Sequence, residues 1–205
     1  MEVGAHGRAP LRSFTPMRIG VVSDTHGYFD PRLREVLHGV NEILHAGDVG
    51  SGEVIEELVA IAPVQAVRGN VDLASSGLPP ALLRPLDGFE IYVVHELPRA
   101  QSALREWAQT TQLTGKKATQ CEQFLRSFPE TCRIVIFGHS HEPCLEILGG
   151  RLFFNPGSAG KKRFSLPRTC GMLELLPDGA RATILTLERY NEDLPGAIWL
   201  PRGGP

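Results

Sequence analysis

Three apolar runs in the first half of the chain, Ile19–Val22, Glu42–Ala46 and Val64–Arg68, each stop at residues able to hold a metal ion. The first opens into Asp24-Thr25-His26, the second into Gly47-Asp48 and the third into Gly69-Asn70. Helix-like stretches at 31–40 and 53–61 separate them, and alternation of strand and helix demands a mostly parallel sheet with right-handed crossovers. Parallel strands bring their carboxyl ends to one edge, where ligands of open α/β sheets bind. Asp24, His26, Asp48 and Asn70 are therefore expected together at that edge. A glycine directly before Asp48 and before Asn70 permits the tight turn each needs.

The second half adds two more ends of this kind. One strand-like run, 90–95, finishes on His95, and another, 133–137, leads into Gly138-His139-Ser140-His141. Histidines two apart can present two imidazoles from one loop to neighbouring ions. Carboxylate, amide and imidazole together suit manganese, iron, zinc, cobalt or nickel better than the all-oxygen shells of calcium or magnesium. One ion could not use so many groups. Further strands are expected at 144–148, 152–154, 172–176 and 182–187, with hairpin turns at Gly149-Gly150 and Asp178-Gly179. Singly, Asp24 and Asp48 read as helix caps and Asn70 as a turn residue; only the ordered set of five motifs speaks for a site.

That ordered set, Asp24-x-His26, Gly47-Asp48, Gly69-Asn70, His95 and Gly138-His139-x-His141, resembles the calcineurin-like metallophosphoesterase superfamily across residues 17–187. Asn155-Pro156-Gly157-Ser158, followed by Lys161-Lys162-Arg163, is similar to its small bacterial phosphodiesterase branch, kin to a scaffold subunit of the eukaryotic retromer. The resemblance implies an α/β fold, a two-sheet α/β/β/α sandwich. It implies one divalent ion on Asp24, His26, Asp48 and His141, and another on Asp48, Asn70, His95 and His139, with Asp48 as the bridge. Two transition-metal ions follow as cofactors, manganese first, with nickel, iron, zinc, cobalt or magnesium as alternatives. The implied reaction is hydrolysis of phosphodiesters, with nucleotides and phosphomonoesters as further substrates, through attack by a metal-bridging hydroxide. Asp48, Asn70, His95 and His139 would form its catalytic group, and Asn155–Ser158 would brace the metal loops. The rival from another class is a catalytically silent, retromer-subunit-like protein-binding scaffold, against which the complete set of ligand types speaks.

Two positions depart from the family pattern. Val71 stands where a histidine usually acts as general acid, and valine has no proton to give. His95-Glu96-Leu97 replaces the usual His-Gly-His, which makes His95 the least secure ligand and brings in a carboxylate. Glu96 and Glu142, each beside a ligand, are candidate proton donors. His6, His38 and His45 have no motif partner and read as ordinary core or surface residues. Lys161-Lys162-Arg163 reads as a solvated basic turn.

Lys and Arg total 21 against 23 for Asp and Glu, a net charge of −2, which offers no basic track for a long nucleic acid. No apolar run approaches the roughly 18 residues of a membrane span. The first sixteen residues lack a signal-like apolar centre. The expected setting is the cytoplasm, with a small phosphoester as partner, no membrane, and a homo-oligomer compatible. Cys121, Cys132, Cys144 and Cys170 lack metal-site spacing and read as reduced core thiols. Residues 1–16 read as a disordered extension, which a start at Met17 would explain equally well. Residues 17–190 form one domain, and 191–205 a flexible tail. Within the domain, apolar residues at helical spacing from Ala100 to Thr111, ended by Gly115, and again from Ala118 to Phe128 predict a helical insertion at 98–129. Placed just after His95, it is expected to overhang the site or to form a surface addition or dimer contact.

Overall fold

The computed structural model describes residues 15–162, 165–188 and 196–203. Two sheets face each other, each with helices on its outer side, the sandwich expected from the sequence. The first sheet contains β1 (Met17–Val22), β2 (Glu42–His45) and β3 (Val64–Ala66), followed later in the chain by β9 (Thr169–Leu176), β10 (Gly179–Thr186) and β11 (Ile198–Pro201). Its order is β11-β10-β9-β1-β2-β3, with β1, β2 and β3 parallel and β9, β10 and β11 antiparallel to their neighbours. The second sheet contains β4 (Ala81–Leu86), β5 (Phe89–Val94), β6 (Ile134–Ile136), β7 (Cys144–Leu148) and β8 (Arg151–Asn155), in the order β4-β5-β6-β8-β7.

Period-two alternation assigns the faces. Ile19 and Val21 of β1, Ile134 and Ile136 of β6, and Leu152 and Phe154 of β8 join Leu44, Ile91 and Leu173 in the core between the sheets. The residues between them point outward. Val22 and Ile43 pack with Leu33, Leu37, Val54 and Leu58 beneath α1 (Leu33–Val36) and α2 (Gly52–Val59). Val135 and Phe153 pack with Leu104, Trp107, Cys121, Phe124 and Phe128 beneath α3 (Gln101–Gln109) and α4 (Gly115–Arg126). Both faces of the central strands are thus buried, as parallel strands require.

Three expectations need correction, and one strand comes in addition. The segment 98–129 is the outer helical layer of the second sheet, because Trp107, Phe124 and Phe128 cover apolar side chains of β6 and β8 that would otherwise face water. Gly115 does not end α3; that helix stops at Gln109, and Gly115, with a φ of +56°, opens α4. The tail reading fails at Ile198–Pro201, where β11 pairs antiparallel with β10 and buries Leu200. Finally, β4 forms an edge strand, tolerating Pro85 where no inner neighbour needs its amide. Asp87-Gly88, both at positive φ, closes the β4–β5 hairpin. The hairpin turn expected at Gly149-Gly150 is present, and the β9–β10 hairpin turns at Pro177-Asp178, one residue before the expected Asp178-Gly179, because Gly179 already pairs with Leu176. The extension at 1–14, Arg163 and the tail residues 191–195 and 204–205 lie outside the described residues. All four cysteines are buried and free. Among the described residues no helix is long and apolar enough to cross a membrane.

Candidate metal centre

The carboxyl ends of β1, β2 and β3, with the loops after β5 and β6, converge on one edge of the sandwich. Three of these loops, after β1, β2 and β6, reverse sharply. Asp24, His26, Asp48, His139 and His141 all have positive φ, between 49° and 69°, a region that non-glycine residues rarely occupy and that the surrounding structure must hold. Backbone bonds stitch the loops together: the amides of Asp24, His26 and Gly27 donate to the carbonyls of Gly47, Asp48 and Val49.

All seven sequence-predicted ligands come together, through two overlapping groups. In the first, Asp24 Oδ1 lies 3.3 Å from His141 Nε2 and 4.0 Å from His26 Nε2. The two Nε2 atoms are 3.1 Å apart. In the second, Asp48 Oδ1 lies 3.4 Å from His95 Nε2, while Asn70 Oδ1 is 3.1 Å from both His95 Nε2 and His139 Nδ1. Asp48 joins the two, its other oxygen, Oδ2, lying 3.6 Å from His26 Nε2. Ligand atoms of Asp24, His26 and His141, and of Asp24, Asp48 and His95, lie within 4.8 Å of one another. His139 is half exposed, with Glu96 Oε1 3.6 Å from its Nε2.

The donor set fits metal ions. His95 Nδ1 donates to the Ala46 carbonyl at 2.8 Å, which turns the Nε2 lone pair toward two acceptor oxygens. A lone pair facing oxygens is repulsive unless a cation or a proton lies between. Without an ion, the proton answers: burial works against the charged imidazolium, but the bonds to Asp48 and Ala46 outweigh it and raise the His95 pKa. For Asp48, burial opposes ionisation, yet the bonds from His95 and the Val71 amide and the nearby histidines bring its pKa down to about 2. Asp48 therefore stays anionic at neutral pH.

Close packing fixes these groups. A side chain on Gly69 would fall on Asp48 Oδ1 and its backbone nitrogen, and one on Gly138 on Ser23 Oγ and Asp24 Oδ2. The Val71 amide donates to Asp48 Oδ1 at 2.9 Å, and the His139 amide and Ser23 hydroxyl donate to Asp24. Asn155 Nδ2 donates to the Gly138 carbonyl at 2.9 Å and to Gln101 Oε1 at 3.0 Å, while its Oδ1 accepts from Gly157. Asn155 thus braces the H-x-H loop, as the sequence suggested, and ties it to the first turn of α3. Of the candidate proton donors, Glu142 is held by Arg105 at 3.0 Å, whereas Glu96 stands beside His139.

Two residues were missed as parts of the site. Asp72 accepts from the amides of Val49, Gly50 and Gly69 at 3.2, 2.8 and 2.8 Å, clamping the Asp48 loop to the Asn70 loop. Its signal was an acid three residues after the Gly69 turn. His45, read as ordinary, is fully buried beneath the ligands. The Thr25 hydroxyl donates to the Val49 carbonyl at 3.0 Å, so His45 Nε2–H donates to Thr25, and Nδ1 accepts from the Gly47 amide at 3.2 Å. Both nitrogens are satisfied only in the neutral ring, and burial lowers its pKa to about 4. No sequence motif marks it.

Residues 17–177 match the model of the calcineurin-like phosphoesterase superfamily domain. The chain is 28% identical over 158 residues to a probable metallophosphoesterase of Methanothermobacter thermautotrophicus, covering 74% of this chain and 82% of that protein. Its fold matches a predicted phosphoesterase from Streptococcus pneumoniae with a TM-score of 0.60 and 22% identity, over 91% of this chain and 99% of that one. It also matches Vps29 complexed with zinc from Entamoeba histolytica, with a TM-score of 0.63 and 21% identity, over 91% and 100% of the two chains. The chain belongs to the calcineurin-like phosphoesterase superfamily.

Proposed function

We propose that this calcineurin-like phosphoesterase hydrolyses phosphodiesters at a two-ion centre, with Asp24, His26, Asp48 and His141 around one ion and Asp48, Asn70, His95 and His139 around the other. The observation that carries the reading is Asp48, whose two oxygens face histidines of different loops, Oδ2 toward His26 and Oδ1 toward His95. Two divalent ions, manganese first among the candidates, would supply positive charge for the phosphoryl oxygens and lower the pKa of the attacking water. The chain's own residues do the rest. Asp48 brings a fixed negative charge between two histidine clusters, Ala46 sets the ring of His95, and Asn155 and Asp72 hold the loops in register. His139 and Glu96, at the exposed rim, meet the incoming ester first. Val71 has no proton to offer the departing oxygen.

The test is metal analysis of the purified protein together with assays on aryl mono- and diesters under manganese, nickel, magnesium and zinc. Expected are bound divalent metal, turnover abolished by excess chelator, and diesters ahead of monoesters. Asp48→Asn should lower kcat/KM by about a hundredfold or more, beyond the usual effect of losing a residue that merely orients a ligand, whereas Lys162→Ala stays within a few-fold. Turnover in excess chelator, or an unimpaired Asp48→Asn protein, overturns the reading. A second reading, a protein-binding scaffold, draws support from the similarity to Vps29. Metal binding without turnover on any ester would favour it.

A further inference from the structure

Beside the ligand loops lies a cavity of about 530 Å³, and we propose that it receives an aromatic ring of the ester while the phosphoryl group rests at the metal centre. The inference rests on the phosphoesterase reading and names the substrate class more closely. The volume falls within the range of roughly 300–1,000 Å³ of small-molecule sites. Two ligand loops build the shared wall: Val49 follows Asp48 and Val71 follows Asn70, and both line the cavity. The cavity therefore shares its wall with two of the loops that carry proposed ligands, Asp48 and Asn70.

The lining has the chemistry of a ring site. Val49, Ile55, Val71, Leu73 and Leu78 contribute apolar surface, and no lysine or arginine lines the cavity. A second phosphate would find no counter-charge there. Val71 and Leu73 are 45% and 73% exposed, large apolar groups left in water at the rim of a polar centre. Scattered exposed apolar residues are ordinary; two of them on the wall of one cavity that adjoins a reaction centre are not. Asp72, through its three amide bonds, keeps the wall rigid, so the cavity is formed before the ligand arrives.

The probes are methylphosphonate and phenylphosphonate, titrated calorimetrically into the manganese-loaded protein. They share the phosphoryl mimic and differ by the ring. The wild type should bind phenylphosphonate roughly tenfold tighter or more, as expected for burying one ring. In Leu73→Ser and in Val71→Thr, substitutions at exposed positions that leave the core untouched, the ratio should fall below about threefold. Equal affinity for the two probes in the wild type, or a ratio preserved in both variants, overturns the ring site and leaves the phosphoesterase reading standing. Absence of binding by either probe to metal-loaded protein overturns the ring site, and the diester assays with and without chelator decide the phosphoesterase reading separately.

Discussion

Left-handed backbone at Asp24, His26, Asp48, His139 and His141 costs on the order of 1–3 kcal/mol per residue, and bonds from neighbouring loops must hold it. Asp72 carries much of that burden at the Asp48 loop. Asp72→Ala frees three amides at once and should weaken metal binding by about 10–100-fold, the usual effect of losing a residue that orients a ligand. Titration of the metal-free variant with manganese measures it, and wild-type affinity would refute the clamp. His45 makes a second prediction. Its folded pKa is about 4 against an ordinary 6.5, so between those values the unfolded chain binds more protons and stability falls as pH drops. The loss totals roughly 3 kcal/mol by pH 4, and above pH 6.5 the full contribution is present. His95, raised in the fold, acts in the opposite sense, its stabilisation fading as pH rises through its folded value. The difference between wild type and His45→Gln isolates the first effect. Denaturant unfolding across pH 4–7 should show the wild type losing stability more steeply toward acid, and parallel curves would refute it.

At the scale of elements, the segment 98–129 changes meaning once its packing is known. Its periodicity marks two amphipathic helices, and both exist, but what their apolar faces cover is the outer face of β6 and β8. Replacing residues 98–129 with a short Gly/Ser linker should therefore uncover Phe153 and Val135 and leave the second sheet unfolded or aggregated, with lost near-UV dichroism. A folded, metal-loaded deletion protein with changed selectivity only toward bulky esters would return the segment to the role of a lid. Its start does touch the centre: Gln101 accepts from Asn155 and from the Ser140 hydroxyl, so the helical layer and the H-x-H loop are mechanically joined.

For the whole molecule, the loops of both sheets share one centre, and an ion binding there ties the halves together. Manganese at about 100 times its dissociation constant should stabilise the fold by about 2.7 kcal/mol. For a chain of this size that corresponds to a melting temperature higher by roughly 5–10 °C. Scanning calorimetry with manganese and with chelator measures the shift; identical curves would argue against a metal held between the sheets. The sequence by itself determined the alternation of strands and helices, the sheet edge at which Asp24, Asp48 and Asn70 lie, and the five motifs. These properties are local, set by side-chain period and by which residues end a strand. His45 was not legible, because it is defined by burial that removes its charge, and Asp72 left only the faint signal of an acid three residues after the Gly69 turn, its role being set by the amides of Val49 and Gly50 more than twenty residues away. β4 and β11 were missed for a related reason, since an edge strand needs no strong pattern of its own when a neighbour supplies its hydrogen bonds. Only the tertiary structure decided that α3 and α4 are an outer layer, because an apolar stripe on a helix states that it will be covered and leaves open by what.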